Sequence, residues 1–75
     1  MTTADFGLAC YLVTVGHQVL NTQRQGTRMF FQFDDTGFDV DSDVREYRLG
    51  EASVPARKFL EAQRSIKSLI YADTP

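Results

Sequence analysis

Residues able to attack a substrate, carry a proton or hold a metal are few in this chain of 75 residues, with one thiol at Cys10 and one imidazole at His17. Nucleophilic catalysis needs a base within hydrogen-bond reach of the nucleophile and a third group to orient the base. Cys10 falls in a helical segment and His17 at the mouth of a strand. The two meet only if the helix folds back tightly over the strand, so a small buried thiol and a strand-end histidine are the preferred reading. One His and one Cys are too few for a structural zinc site, which usually takes four ligands. No glycine-rich loop follows a strand in the way that cradles phosphate. No catalytic, metal or cofactor-binding residue is assigned, no cofactor is expected, and the chain is not expected to be an enzyme.

The carboxylates come closest to a motif. Counted from Asp35, a twelve-residue calcium loop would place Asp39, Asp41 and Asp43 at its fifth, seventh and ninth positions and Glu46 at its last. Its third position, however, is Gly37, which has no side-chain oxygen, and its sixth is Val40, where such loops need glycine for a sharp turn. A solvated, helix-capping acidic loop over residues 34–41 fits the residues better.

Two groups of side chains suit binding rather than catalysis. Phe30 alternates away from the core-facing residues of its strand, beside Arg28, Asn21, Gln23 and Gln32. An aromatic among amides and a base can stack on a nucleobase or anchor a protein. The competing expectation is that a helix covers this face and makes Phe30 ordinary core. The second group is Leu60, Arg64, Lys67 and Tyr71, at i, i+4, i+7 and i+11 on the last helix, about 100° from its core stripe. Aliphatic, basic and aromatic groups together are typical of interfaces. The competing expectation is a stripe packed on the first helix under its own Lys and Arg stems.

The elements that must position these residues form a small single α+β domain of order α-β-β-α-α, a two-stranded antiparallel hairpin packed against helices. A helix is expected over residues 4–15, with Thr3 and Asp5 as candidate caps, Leu8, Leu12 and Val15 at helical spacing, and Gly16 at its end. The hairpin spans residues 17–34. A turn at Gln25-Gly26 pairs Leu20 with Phe31, Thr22 with Met29 and Gln18 with Phe33, gathering Leu20, Met29, Phe31 and Phe33 on the core face. A turn one residue longer would set Asn21 and Gln23 against Phe31 and Met29, a poorer match. A short helix follows over residues 42–49, capped by Asp41, with Val40, Val44 and Tyr47 at helical spacing and Gly50 at its end. The last helix covers residues 55–71, with Pro55 in its first turn and a stripe of Phe59, Ala62, Ile66, Leu69 and Ile70. Residues 72–75 should fray.

Composition bounds the rest. A chain this short buries only roughly 60% of its unfolded surface, so modest stability is expected. At 43% hydrophobic and 24% charged, it is too apolar for intrinsic disorder. A formal charge of −2 argues against wholesale attraction to nucleic acid or an anionic membrane. That charge is polarised. Asp34, Asp35, Asp39, Asp41 and Asp43 are half of the acids, and most of the bases lie beyond Val44. The apolar run Leu8 to Val13 is too short to span a bilayer, and no basic segment precedes it. A cytoplasmic compartment is expected, whether in a bacterium or in a virus-infected cell.

Three pieces carry a family resemblance: Asp5-x-x-Leu8-Ala9-x-x-Leu12-x-x-x-Gly16; Phe31-x-Phe33 followed by acids; and Tyr47-x-x-Gly50-x-x-x-Val54 with Phe59 and Ile66-Lys67-x-x-Ile70-Tyr71. Together they cover nearly the whole chain, which resembles a family of short bacterial and phage proteins classified as a domain of unknown function. The resemblance implies a phage or mobile-element setting and carries no activity, cofactor or site. The function expected is a non-enzymatic module that binds another protein, through candidate residues Arg28, Phe30, Leu60, Arg64, Lys67 and Tyr71. The alternative is a nucleic-acid binder using Arg24 and Arg28 or Arg57, Arg64 and Lys67. A homodimer is a further expectation, because two-stranded sheets are marginal alone and an unpaired edge can add to another chain. No membrane partner is expected.

Overall fold

The computed structural model describes residues 1–36 and 39–72; Gly37 of the acidic loop and the end of the expected frayed tail lie outside them. The chain runs β1 (Thr2–Thr3), α1 (Phe6–Thr14), β2 (Val19–Gln25), β3 (Arg28–Phe33), α2 (Val40–Arg48) and α3 (Ala56–Ala72). The α+β class is as expected, but the sheet has three strands rather than two. Its order is β1-β3-β2, antiparallel throughout, so β3 is central. Thr2 pairs with Gln32 and Thr3 with Phe31. A two-residue strand is too short to leave a period in the sequence, which is why only its capping chemistry was legible there.

Local chemistry sets the helix ends. Asp5 is the cap of α1, its carboxylate accepting from the Leu8 amide at 3.1 Å, while Thr3 Oγ1 accepts from the Asp5 amide at 3.0 Å. At the other end the Gly16 amide bonds the Val13 carbonyl and the His17 amide bonds that of Leu12. This paired closure requires a left-handed residue, and Gly16 supplies it with φ +106°. The end of α2 repeats the pattern: Gly50 bonds Tyr47, Glu51 bonds Glu46, and Gly50 has φ +76°. The start of α2 differs from expectation. It begins at Val40 with Asp39 as cap, accepting from the Ser42 amide at 3.0 Å, so Asp41 falls in the first turn instead of capping it. Burial of Val40 favours the earlier start, because extending the helix by two residues takes in a side chain that packs in the core.

The hairpin register also departs from expectation. The turn is Gly26-Thr27, with φ +64° at Gly26 and no positive φ at Thr27, the φ pattern of a II′ hairpin turn. Gln25 faces Arg28, Gln23 faces Phe30 and Thr22 faces Phe31. The pairing is therefore displaced by two residues from the one that sets Leu20 against Phe31. Side chains alternate with a period of two, so a displacement of two leaves each residue on its own face. Met29, Phe31 and Phe33 are buried as expected. Leu20 is the exception. At the other end of the hairpin the Asp34 amide bonds the Gln18 carbonyl and Val19 faces Phe33, a register one residue different from that at the turn. The surplus residue is absorbed as a bulge between Val19 and Asn21, leaving Leu20 60% exposed while Val19 packs against the core.

The core gathers around α1, in which Leu8 through Leu12 are all buried. Met29, Phe31 and Phe33 of β3, Val40 of α2, and Ala62 and Ile66 of α3 complete one cluster. Of the expected α3 stripe, Phe59 and Ile70 pack against this cluster, whereas Leu69 is 37% exposed. The Tyr47 hydroxyl sits where a Cβ on Gly7 would be, so glycine there lets α2 close on α1. The Tyr11 and Tyr47 rings lie 5.5 Å apart at 33°.

The register makes a sharp prediction. Leu20→Thr should change the unfolding free energy by less than about 0.5 kcal/mol. Phe31→Ala should cost about 3–5 kcal/mol or unfold the chain outright. Urea denaturation of the two variants checks the contrast; a core-sized loss at Leu20 would restore the pairing expected from sequence.

Candidate functional site

His17 follows directly from the way α1 ends. As the second residue beyond the helix cap Val15 it leaves the turn with its amide tied to Leu12, and its ring is buried, the side chain 1% exposed. Its Nε2 lies 2.6 Å from a carboxylate oxygen of Asp43, in the first turn of α2. The pair joins the α1–β2 junction to α2, which is otherwise held to α1 by the Tyr47 and Val40 contacts. A histidine bonded in this way has its orientation fixed, and its position under the surface suits a structural tie. Sequence reasoning missed the pair, since nothing local links residues separated by 26 positions.

Cys10 is fully buried in α1, and burial pushes its thiol pKa up, against a smaller opposing effect from the Lys67 ammonium. A buried thiol with a raised pKa is a poor nucleophile. Its carbonyl accepts from Thr14 Oγ1 at 2.7 Å. Tyr11 and Tyr47 are likewise pushed up, chiefly by burial, with Asp43 and Glu46 adding to the first and Asp5 to the second.

The acids are put to local use. The Asp34 carboxylate accepts from both the Thr36 hydroxyl, at 2.6 Å, and the Thr36 amide, at 2.9 Å, which holds its pKa below the usual carboxylate range. Asp39 caps α2, Asp41 and Asp43 lie in its first turn where they complement the helix dipole, and Asp43 meets His17. Among the described residues no group of three His, Cys, Asp or Glu side chains is placed to hold a metal ion.

The binding candidates divide between two surfaces. Arg28 and Phe30 lie on the sheet face opposite the core. There Phe30 is half-buried among Thr2, Asn21, Gln23 and Gln32, and those four are exposed, so none of the described helices covers the face. Leu60, Arg64, Lys67 and Tyr71 all lie exposed along α3, with Leu60 at 55% and Tyr71 at 69%. The structure does not bring the two groups together as one site. Arg24, read as a candidate for nucleic acid, instead reaches across the hairpin edge to donate to the Ile70 carbonyl at 3.0 Å. A cation on the last carbonyls of α3 suits the negative end of the helix dipole.

Two measurements test these assignments. Asp43→Ala should lower the unfolding free energy by about 1–3 kcal/mol, because it leaves a buried imidazole without its carboxylate. Asp41→Ala, in the same turn but exposed, should cost no more than about 1 kcal/mol. Equal losses in urea titrations would mean that Asp43 acts only through the helix dipole. Cys10 should react with an aromatic disulfide reagent at pH 8 only as fast as the chain opens, and at once in denaturant. Immediate reaction of the native chain would contradict its burial.

A search of curated proteins and of solved structures returns no match. A family does match, over residues 1–72, which takes in every element described above. On that span the chain belongs to the family described as a domain of unknown function, DUF5659.

Proposed function

We propose that this chain is a non-enzymatic interaction module that docks on another protein through the exposed side of α3. The observation that carries the reading is the pair Leu60 and Tyr71. Two large side chains stay in solvent on one side of a helix whose other side is packed into the core, with Arg64 and Lys67 between them. Leu60 also lines a shallow groove with Arg57, Glu61 and Arg64. Tyr and Arg are enriched at interface centres, where each fills a pocket or forks onto a carboxylate. The partner that fits presents an apolar pocket rimmed by carboxylates.

The absence of enzyme activity is part of the same reading. Support comes from the commitment of His17 to Asp43 and from the burial of Cys10, which leave neither group poised for chemistry. A bacterial or phage setting, with the chain acting on a host or phage protein in the cytoplasm, accords with the family resemblance. Among the described residues no helix is long and apolar enough to cross a membrane. Self-association is a variant of the same reading: β1 occupies one edge of β3, and β2 keeps an outer edge on which Leu20 protrudes.

The test compares the wild-type chain with a Leu60→Ser/Tyr71→Ser double variant as immobilised bait in extract of the native cell. Both changes are at exposed positions and should leave the fold intact by circular dichroism. A specific protein retained by the wild type and lost at least tenfold by the variant is the expected outcome. No specific protein, or equal retention by both baits, refutes docking through α3. Light scattering on the purified chain shows whether the captured partner is a second copy.

A further inference from the structure

The outer face of the sheet is built from amides, a hydroxyl, one ring and one cation. None of the three strands contains a carboxylate. Their outward positions are Thr2 on β1, Asn21, Gln23 and Gln25 on β2, and Arg28, Phe30 and Gln32 on β3. Phe30 is on the central strand, directly opposite Gln23, and the Asn21–Gln32 pair is its next neighbour along the ladder. Arg28 stands on the same face, two residues along β3 and hence roughly 7 Å from Phe30. Among the described residues the acids begin beyond Phe33 or lie on the helices and their caps, with Asp35 meeting the Met1 amine at 3.4 Å, so the three strands themselves offer no carboxylate.

We infer that this face is a binding platform for single-stranded nucleic acid, with Phe30 stacking on a base. A single ring surrounded by primary amides is a poor anchor for a protein. Covering it with an apolar surface would bury four or more amide groups without partners, at a cost for each that exceeds what one ring returns. A nucleobase reverses that balance. Its flat face covers the ring, and its edge carries the donors and acceptors that Asn and Gln side chains match. Arg28 then supplies a cation for the adjoining phosphate, and no ion pair to a carboxylate engages it among the described residues. The half-buried state of Phe30 also helps: packing by its neighbours holds the ring in place before a base arrives, so little side-chain freedom is lost on binding. The net charge of −2 does not prevent this, because charges act over roughly a Debye length, about 8 Å at physiological salt. The platform lies on the side of the sheet away from α3, so it stands or falls independently of docking through that helix.

Fluorescence anisotropy with end-labelled twelve-nucleotide single strands, DNA and RNA, oligothymidine and mixed sequence, tests the inference at 20 mM and 150 mM salt. The full chain should bind at least one of these probes. Phe30→Ala should weaken binding about tenfold or more, and Phe30→Tyr should retain it. Arg28→Ala should reduce the salt slope of log K by about 0.7. If Phe30→Ala disturbs the fold by circular dichroism, the Gln23→Glu/Gln32→Glu variant decides. It alters exposed positions only and should abolish binding by placing two carboxylates beside the ring. No binding of any probe at 20 mM salt overturns the inference. Binding that survives both Phe30→Ala and the double Glu variant also overturns it, as does a protein captured through Gln23 and Gln32 in the absence of oligonucleotide binding.

Discussion

Five consecutive residues of α1, Leu8 to Leu12, are buried together, and a helix buried on every side must be surrounded. In so small a chain this constraint leaves little choice for the other elements. The sheet supplies Met29, Phe31 and Phe33, α3 supplies Ala62 and Ile66, and α2 adds Val40 to one cluster with this helix. The outer face of the sheet and the outer side of α3 are what remains once α1 has been enclosed. The surfaces proposed here for binding are thus a consequence of core geometry: they are the faces that α1 does not need.

The same helix governs the hairpin. Its closure at Gly16 and His17 fixes where β2 starts, and the pairing of His17 with Asp43 ties that point to α2. The glycine turn fixes the other end. With both ends held and the two registers differing by one residue, the strand must bulge, and Leu20 is expelled. An apolar residue in solvent is ordinarily an unremarkable event. Here it has a cause, which is a mismatch between a helix terminus and a turn.

Charge is sorted along the same lines. Asp5 and Asp39 cap helices, Asp34 closes a turn on Thr36 and Asp43 meets His17, whereas the strands carry no carboxylate. Arg24 is drawn to the carbonyl end of α3, which leaves Arg28 as the cation of the outer sheet face. A modest negative net charge therefore coexists with strands that carry no carboxylate and with a helix that exposes Arg64 and Lys67.

Much of this was written locally in the sequence. Asp5, Gly16 and Gly50 act within a few residues of themselves, and the stripe from Phe59 to Ile70 needs only the helical period. The assignment of Phe30 to the outer face survived a hairpin pairing that was off by two, because alternation depends on parity and not on the partner. Other features depend on which elements meet. Nothing near Thr2 and Thr3 announces a strand until β3 offers them an edge. The start of α2 moved to Val40 because the core had room for that side chain. The contacts His17–Asp43 and Arg24–Ile70 join residues 26 and 46 positions apart, beyond the reach of any capping or spacing rule. Short-range chemistry therefore determined where helices begin and end and which way strand residues face. The tertiary arrangement alone decided register, the third strand and the buried polar tie, since each depends on closing long stretches of chain around α1.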